Sequence, residues 1–370
     1  MDFRIAKDEF LKGLSVTQSV VEKRNTMPIL SNILLRGSGS QLQLVATDLE
    51  VGVSARVNAE IATSGSLSLN AKKLYDIVKE LPEGEVKVGS GDGFNVEISS
   101  GRSRFSVLGL DPEDYPMVQE YPDVSFFGLP AAVLGDMIAK TIFSVSTDET
   151  RFNLNGIYIE RGDNGLRMVA TDGHRLSLVE REVENIDALP LEKGVIVPRK
   201  GFAELRKHLD GGTFELAFSG NNCVGRKDNL VLAMRLIDGE FPDYKVVVPK
   251  SSSKRVFIDR QAFSEALRRV SLLSPEKFKG VKLSLSAGTL RVSSSNPEQG
   301  NASEDLDVRY DGDAMEIGFN ARYILEVLGE IGSEEVFLGL NDDVSQGVLA
   351  PVADKEADYS YTNVIMPMRI

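Results

Sequence analysis

A few residues of this chain have side chains and spacing that could support catalysis. The segment Thr171-Asp172-Gly173-His174-Arg175 places a carboxylate two residues from an imidazole, and such a pair can transfer protons. Nucleophilic catalysis would also need an activated nucleophile beside the histidine, and no serine or cysteine motif accompanies this pair. The dipeptide Thr47-Asp48 repeats the start of the segment. We therefore interpret both places as hairpin turns and predict no catalytic residues.

Metal and nucleotide sites are equally poorly supported. Two histidines, His174 and His208, and the single Cys223 cannot assemble a zinc site from soft ligands. No Gly-Lys pair occurs, which excludes a P-loop, and the glycines of 89–93 lack the dinucleotide-binding spacing. Asp311-Gly312-Asp313 lacks the rest of an EF-hand and is interpreted as a hairpin turn. We predict no metal and no cofactor.

The Asp172 turn belongs to a pattern that the chain repeats three times. Alternating apolar runs separated by a Gly-rich turn occur at 33–48, 157–172 and 281–294. The two Ala-Thr-Asp triplets lie 124 residues apart, and 370 residues hold three such steps. A period of this length indicates three copies of a whole domain rather than a solenoid of short units. We predict domains at 1–125, 126–250 and 251–370.

Each copy contains two stretches with helical periodicity and several short alternating runs. Apolar residues recur at a spacing of three or four, which predicts amphipathic helices. The second helix of each copy ends at a Gly-rich turn signal. Two helices packed on antiparallel sheets joined mostly by hairpins indicate the α+β class. The helical stretches are 10–14, 74–81, 133–145, 202–209, 263–270 and 324–331.

Composition agrees with a cytoplasmic protein that has no membrane partner. Hydrophobic residues make up 42% of the chain, which suffices for a core in each copy. No apolar run approaches the length of a membrane span, and the N-terminus leads into a predicted strand rather than a signal peptide. A single cysteine excludes an internal disulfide and fits a reducing compartment.

The net charge of −13 argues against a nucleic-acid binder with a basic surface, but the charge is unevenly distributed. The helical stretches with their flanks carry 19 basic and 15 acidic residues, a net +4, which leaves −17 for the rest. If all helices face one way, a basic face on an acidic body would hold phosphates by long-range attraction. Ordinary solvated helix faces explain the same counts equally well.

Several longer motifs occur along the chain. They are Met27–Ile33, Ser100–Phe105, Thr171–Leu176, Val197–Gly201, Asp238–Tyr244, Asn296–Gln299 and Val364–Ile370. Together they resemble the motifs of the bacterial sliding clamps, the beta subunits of DNA polymerase III, and the resemblance runs from the first predicted strand to the last residue. It implies three domains of one topology and a head-to-tail homodimer that closes a ring around duplex DNA, with helices lining the hole and sheets forming the outer wall.

The resemblance also implies a function and its partners. The chain would be a DNA polymerase processivity factor that slides along double-stranded DNA without reading its sequence. Its partners would be a second copy of itself, the replicative DNA polymerase, the clamp loader and other proteins that carry short peptides containing Leu and Phe. The alternative hypothesis is a three-domain enzyme with a small-molecule site around His174.

The resemblance assigns a peptide-binding cleft to aliphatic residues, a tyrosine and two methionines that can repack around different peptides. The implied cleft residues are Leu154, Thr171, Gly173, His174, Arg175, Leu176, Pro242, Val247, Asn320, Tyr323, Val344, Val364, Met366, Pro367, Met368 and Arg369.

The resemblance also assigns DNA-binding residues and dimer-interface residues, and the chain departs from the family pattern in both. In the DNA-contacting loop, Phe152 and Asn153 replace the Tyr-Tyr pair of the family, and Asp148 is acidic where a neutral polar residue is expected. At the interface, Gly300 and Asn301 stand where acidic residues are common in the family. The implied DNA-binding residues are Arg24, Lys72, Phe152, Asn153, Arg199 and Lys200. The implied dimer-interface residues are Lys73, Arg102, Phe105 and Val107 on one side and Leu272, Leu273, Glu298 and Glu304 on the other.

Overall fold

A computed structural model describes residues 1–21, 27–117, 119, 121–162, 165–275, 279–352 and 358–369. It contains two compact units, which are described separately. The first unit comprises Met1–Leu134, Ala188–Pro190 and Lys200–Leu236, and the second comprises Gly135–Asp187, Leu191–Arg199 and Ile237–Ile370.

Short strands hold more of the described residues than helices do, and six α-helices occur among the described residues. The helices are α1 (Lys7–Gln18), α2 (Ala71–Glu80), α3 (Ala131–Ile142), α4 (Arg199–Leu205), α5 (Arg260–Val270) and α6 (Ala321–Gly329). The strands are β1 (Asp2–Ala6), β2 (Asn32–Ser38), β3 (Gln41–Thr47), β4 (Val51–Asn58), β5 (Glu60–Thr63), β6 (Gly65–Asn70), β7 (Glu85–Ser90), β8 (Asn95–Ser100), β9 (Ser103–Leu108), β10 (Phe127–Pro130), β11 (Gly156–Arg161), β12 (Gly165–Thr171), β13 (Arg175–Glu182), β14 (Val195–Pro198), β15 (Thr213–Ser219), β16 (Asn222–Lys227), β17 (Leu230–Arg235), β18 (Lys254–Asp259), β19 (Gly280–Ser286), β20 (Thr289–Asn296), β21 (Gly300–Asp307), β22 (Met315–Asn320), β23 (Glu335–Leu340), β24 (Gly347–Pro351) and β25 (Tyr359–Ile365).

The first unit contains two antiparallel sheets. An eight-stranded sheet has the order β10-β15-β16-β17-β4-β3-β2-β6. Its two four-stranded halves come from different repeats and join where β17 pairs with β4, from Leu230 opposite Ala55 to Met234 opposite Val51. A five-stranded sheet has the order β5-β1-β7-β8-β9, so β9 ends that sheet.

The second unit repeats this plan. Its eight-stranded sheet has the order β14-β11-β12-β13-β25-β24-β23-β18. The halves join where β13 pairs with β25, from Arg175 opposite Ile365 to Arg181 opposite Tyr359. A four-stranded sheet has the order β21-β20-β19-β22, and β21 ends it. In both units, therefore, the last strand of one repeat completes the sheet begun by the repeat before it.

The helices form where an apolar stripe can be buried against a sheet. In α2 the Asn70 side chain caps the N-terminus by accepting a hydrogen bond from Lys73 N (3.0 Å). Leu74 and Val78 then fall on one face and are fully buried in the core of the first unit. The helix ends just before Pro82, which cannot continue the hydrogen-bond ladder. None of the helices in the described residues is long and apolar enough to cross a membrane.

The structure confirms the repeated hairpins and corrects two expectations. The turns at Asp48 and Asp172 join β3 to β4 and β12 to β13. The prediction of a hairpin turn at Asp311-Gly312-Asp313 is wrong, because β21 and β22 lie at opposite ends of their sheet and the connection crosses it. The helical stretch 202–209 is shorter than expected, since α4 ends at Leu205 and a 3₁₀ turn follows.

A buried carboxylate links α1 to α4 within the first unit. Glu204 is buried on α4. Its carboxylate accepts hydrogen bonds from the Ser19 hydroxyl, at the C-terminal end of α1, and from Lys207 Nζ (2.6 Å). His208 Nε2 lies 3.8 Å away. Burial raises the pKa of Glu204, but these donors outweigh burial and lower the pKa from 4.5 to about 2.

We expect Glu204→Gln to lose a pH-dependent part of the stability. Because the folded-state pKa lies below the unfolded-state value, the carboxylate stabilises the fold fully above pH 4.5. That stabilisation, about 3 kcal/mol at most, disappears as the pH falls toward 2. Denaturant unfolding of both proteins between pH 7 and pH 2 should show a stability difference that shrinks in this window. The exposed Glu97→Gln is the matched control, and an equal pH dependence in all three proteins would contradict the assignment.

Candidate functional site

The turn between β12 and β13 is held by its own side chains. Thr171 Oγ1 donates to Arg175 O (2.6 Å) and accepts from Gly173 N (3.1 Å). The Asp172 carboxylate accepts from the backbone N–H groups of His174 (2.9 Å) and Arg175 (3.0 Å). Gly173 has φ +86°, a left-handed conformation that suits glycine. The carboxylate thus builds the turn, and in the described residues no hydrogen bond joins it to the exposed His174 imidazole.

Arg175 connects this turn to α6 in the second unit. Its side chain is only 7% exposed, and its Nε donates to Asp172 Oδ2 (3.1 Å). The other guanidinium nitrogens donate to Glu326 and to the Phe143 carbonyl. The guanidinium carbon also lies 4.4 Å from the centre of the Tyr323 ring. Arg175 therefore holds Tyr323 of α6 beside the turn.

The chain after β25 lies next to the turn, and we call the surface formed by the turn, this chain and the segment after β17 the groove. Met366 N donates to His174 O (2.8 Å), which extends the pairing of β13 and β25 by one residue. Met368 N donates to Gly318 O on β22 (2.9 Å), and Pro367 between them is partly buried. Val364 is buried, whereas Met366 is 41% exposed. The terminal segment thus presents methionine side chains over a fixed backbone.

A segment after β17 forms the opposite wall. Tyr244 packs in one buried cluster with Val364, Leu176 and Val169, and Val247 packs against that cluster. Gln346 Nε2 donates to Val247 O (3.0 Å) and so connects this wall to the turn between β23 and β24. The groove consequently has apolar walls and a partly exposed apolar surface.

The remaining predicted cleft residues lie in the elements around this groove. Leu154 is buried at the end of a 3₁₀ turn, and Asn320 caps α6 by accepting from Arg322 N (2.9 Å). Pro242, Val344 and Arg369 are exposed. All sixteen positions belong to the second unit.

A polar network that the sequence analysis missed supports Tyr244. Tyr244 Oη donates to Glu160 (2.5 Å) and accepts from Arg167 Nη1 (2.9 Å). Arg167 also donates to Glu160 (2.7 Å) and to Glu180 (2.8 Å). Burial and the Glu160 carboxylate raise the pKa of Tyr244, so its hydroxyl stays protonated. The signal that could have identified Tyr244 is its repetition as Asp114-Tyr115 in the first repeat.

The polar groups beside the turn hold the local structure together. Arg175 is engaged with Asp172 and Glu326, while Met366 and Val344 expose apolar side chains. In the described part of the chain, no group of three or more His, Cys, Asp or Glu side chains could hold a metal ion. An apolar groove with fixed polar groups at its rim suits an extended peptide.

The DNA-binding predictions for the first unit concern three cations. Arg24 lies outside the described residues. Lys72 is exposed on α2, and its Nζ lies 2.6 Å from Asp76 Oδ2, one helical turn away. Lys200 forms an ion pair with the buried Asp48 carboxylate. Lys72 is therefore placed to meet solvent, whereas Lys200 is tied to the turn between β3 and β4.

The predictions for the second unit concern one loop and one helix start. Phe152 is exposed in the 3₁₀ turn Glu149–Leu154. Asn153 Nδ2 donates to Glu240 O (3.0 Å), which fixes that loop against the segment after β17. Arg199 is exposed, and its backbone N–H donates to Asn155 O (3.1 Å).

The predicted interface residues lie at or near the end strands of two sheets. In the first unit, Phe105 and Val107 lie on β9, with Phe105 exposed and Val107 partly buried. Arg102 is exposed just before β9, and Lys73 is exposed on α2.

In the second unit, Leu272 lies in the 3₁₀ turn after α5 and is 76% exposed, so it is no core residue. Leu273 is partly buried, and Glu298 is exposed. Glu304 lies on β21 and already accepts from Arg269 Nη2 (2.7 Å).

Comparison with known proteins places the whole chain in one family. The models of the DNA polymerase III beta subunit match as the N-terminal domain at residues 1–119, the central domain at 128–243 and the C-terminal domain at 245–369. The Beta sliding clamp of Pseudomonas putida is 39% identical over 377 residues, and that of Escherichia coli K12 is 38% identical over 373 residues. Each alignment covers 100% of both chains.

Solved structures agree with this assignment. A crystal structure of the beta sliding clamp of Caulobacter crescentus matches with a TM-score of 0.94 at 38% identity. The DNA polymerase III subunit beta of Pseudomonas aeruginosa matches with a TM-score of 0.92 at 37% identity. Both matches cover 100% of both chains. This chain belongs to the family of DNA polymerase III beta subunits, the bacterial sliding clamps.

Proposed function

We propose that this chain is a DNA polymerase processivity factor that acts as a closed ring of two copies around duplex DNA. The observation that carries the proposal is the match of three successive beta-subunit domains from residue 1 to residue 369. The proposed domains are 1–125, 126–250 and 251–370, and the proposed role is non-catalytic. The occupied Asp172 carboxylate supports the last point, because it is engaged in the turn and, in the part of the chain that the structure describes, makes no hydrogen bond to the His174 imidazole.

The order of the strands supports head-to-tail assembly. Each eight-stranded sheet joins the four-strand set of one repeat to that of the repeat before it, through β17 with β4 and β25 with β13. Two four-strand sets remain without such a partner in the described sheets: β1-β7-β8-β9, to which β5 is added, and β21-β20-β19-β22. The first set has the same strand order as β10-β15-β16-β17, and the second has the same order as β4-β3-β2-β6. Together they would form the two halves of a third eight-stranded sheet. We infer that β9 of one copy pairs with β21 of the next copy.

Such an interface is heterologous, and two such contacts between two copies close a ring. The backbone groups at the open side of an end strand favour pairing with another strand. The exposed apolar residues Phe105 on β9 and Leu272 after α5 would then be covered. In this assembly Lys73 and Arg102 would face Glu298 and Glu304. Exposed ion pairs of this kind contribute little, so apolar burial and strand pairing would dominate.

The exposed cations of the helices are suited to loose contact with phosphates. Lys72 on α2 and Arg269 on α5 each have an acidic neighbour one helical turn away on the same helix. A phosphate must compete with these carboxylates, so each contact is weak and salt-sensitive. Weak contacts that do not read bases allow a ring to slide without preferring a sequence.

The groove in the second unit is proposed to hold the short peptides of the polymerase, the clamp loader and other partners. Burial of two apolar peptide side chains contributes about 1.5–3 kcal/mol each. Ordering a flexible peptide costs part of this binding free energy, so we expect a Kd on the order of micromolar. Partners could then exchange, while a ring with two clefts would hold a bivalent partner by avidity.

We expect Met366→Ala to weaken peptide binding about tenfold, because it removes an exposed part of the groove floor while the Met366 backbone bond to His174 remains. Calorimetry with a capped heptapeptide containing one Leu and one Phe would measure the affinity. Met315→Ala, a partly exposed methionine at the start of β22 outside the groove, is the matched control. Unchanged affinity in a folded Met366→Ala protein would show that peptides bind elsewhere.

We expect the protein, once loaded on a nicked circular plasmid, to remain bound at moderate salt and to leave when the plasmid is linearised. A ring is held by topology, whereas a surface binder is held by contacts that both forms of DNA offer equally. Gel filtration of the labelled protein with the plasmid before and after cutting would measure retention. Equal retention on circular and linear DNA would contradict the ring.

The double variant Leu272→Ala/Leu273→Ala provides the control for closure. Because Leu272 is largely exposed in the single chain, its replacement should leave the circular dichroism spectrum unchanged while retention on circles falls.

A further inference from the structure

The turn that frames the peptide groove has a second copy in the first unit. Thr47 Oγ1 donates to Val51 O (3.1 Å) and accepts from Leu49 N (3.0 Å). Asp48 Oδ1 accepts from the backbone N–H groups of Glu50 (2.9 Å) and Val51 (2.7 Å). These are the bonds made by Thr171 and Asp172 in the second unit.

The strands that pair with β4 and β13 extend the correspondence between the two turns. Arg235 N, at the end of β17, donates to Glu50 O (2.8 Å), as Met366 N donates to His174 O at the same distance. Arg235 therefore stands where the groove has Met366, and Glu50 stands where it has His174. The backbone frame of the groove is thus present twice, with different side chains.

This second frame borders a cavity of about 340 Å³, which we call the first-unit pocket. The volume accommodates a few side chains of an extended peptide. Its lining residues that bear on recognition are Leu49, Glu50, Pro116, Met117, Asn222 and Arg235.

The presence of a leucine at position 49 is not explained by the turn or by packing in the chain. Leu49 adopts φ +79°, close to the +86° of the corresponding Gly173. This conformation costs a leucine free energy that a glycine would not lose. The Leu49 side chain is also 50% exposed, and that of Met117 across the pocket is 95% exposed. The hydrogen bonds of the turn hold the backbone in this conformation, but packing in the chain does not account for a leucine there, which points to a ligand that covers these side chains.

The charges of the pocket select the ligand. Glu50 and Arg235 are exposed, and within the described residues neither side chain makes a hydrogen bond or an ion pair. The buried neighbour Asp48, in contrast, is paired with Lys200. A guanidinium that has no partner among the described residues and lies beside an apolar surface favours a carboxylate next to an apolar side chain. Glu50 disfavours a second acidic group on its own side of the pocket.

We propose that the first-unit pocket binds an extended, acidic peptide segment of a partner protein. One apolar side chain of the peptide lies between Leu49 and Met117, and a neighbouring carboxylate meets Arg235. The assignment rests on the proposed function, because the corresponding groove of the second unit is proposed to bind peptides. It adds a second site to each chain, with a preference for acidic peptides.

Methyl labelling of the nine methionines allows both sites to be observed in the intact protein. The probe is a capped hexapeptide with one Leu followed by one Asp, and the comparison peptide has Lys in place of Asp. Met117 reports on the first-unit pocket and Met366 on the groove, with signals assigned by Met117→Leu and Met366→Leu.

We expect the Asp peptide to shift the Met117 signal saturably and the Lys peptide to bind about two- to fivefold more weakly. Arg235→Gln should remove this preference. Leu49→Gly should weaken the Met117 response about tenfold without lowering the melting temperature, because it removes the contact and relieves the left-handed leucine. The Met366 response should stay unchanged in both variants.

An unmoved Met117 signal at peptide concentrations that saturate Met366 would overturn the pocket and leave the groove intact. A shift of Met117 without one of Met366 would support the pocket and contradict the groove. A shift of Met117 that follows protein concentration without peptide would show that a second copy of the chain covers the pocket, which overturns the peptide assignment.

Discussion

The pairing of each repeat's last strand with the sheet of the preceding repeat is the interaction on which the molecule depends. It occurs between β17 and β4 in the first unit and between β25 and β13 in the second. Each pairing continues an antiparallel ladder, so backbone hydrogen bonds join the repeats in addition to side-chain pairs such as Lys200–Asp48 and Arg175–Glu326. This pairing leaves the sheet that ends in β9, in the first repeat, and the sheet that ends in β21, in the third repeat, without a partner repeat. These two open half-sheets are the physical basis for assembly with a second copy.

The groove that we propose as the peptide site is a consequence of that pairing. A strand that joins the neighbouring sheet must leave it beside the hairpin turn, and the residue that follows bonds to the turn, as Met366 N does to His174 O. The chain beyond the junction then lines a groove without requiring any further structure. Because both junctions follow the same rule, the first unit acquires a corresponding pocket beside Leu49.

The polar residues of the site act on the framework, and the apolar residues remain available. Arg175 and Tyr244 are buried, and their partners Glu326, Glu160 and Arg167 satisfy them with charged hydrogen bonds. Such networks rigidify a site because an unpaired buried charge would be costly. The exposed Met366 side chain has flexible torsions and a polarisable sulfur, so it can adapt to different peptides. A rigid frame with an adaptable surface suits a protein that serves several partners.

The sequence predicted the repeated strands, the paired turns and the helices because these depend on local periodicity and on residues such as Asp172. Features that depend on distant residues were not predictable in this way. The Tyr244 network joins four strands and segments, and Lys200 meets Asp48 from another repeat. The Asp311-Gly312-Asp313 connection looked like a hairpin because a Gly-Asp turn does not reveal which strands it joins. The left-handed conformation of Leu49 became visible only in the backbone angles.

Hydrogen–deuterium exchange of the backbone amides of β9 and β21 in the intact protein tests strand pairing between copies most directly. At concentrations where the ring is closed, the outward-facing amides of both strands should exchange as slowly as those of β17 and β25, and this protection should decrease on dilution. Rapid exchange in β9 and β21 at every concentration, with β17 and β25 protected, would contradict the proposed third sheet and the ring that depends on it.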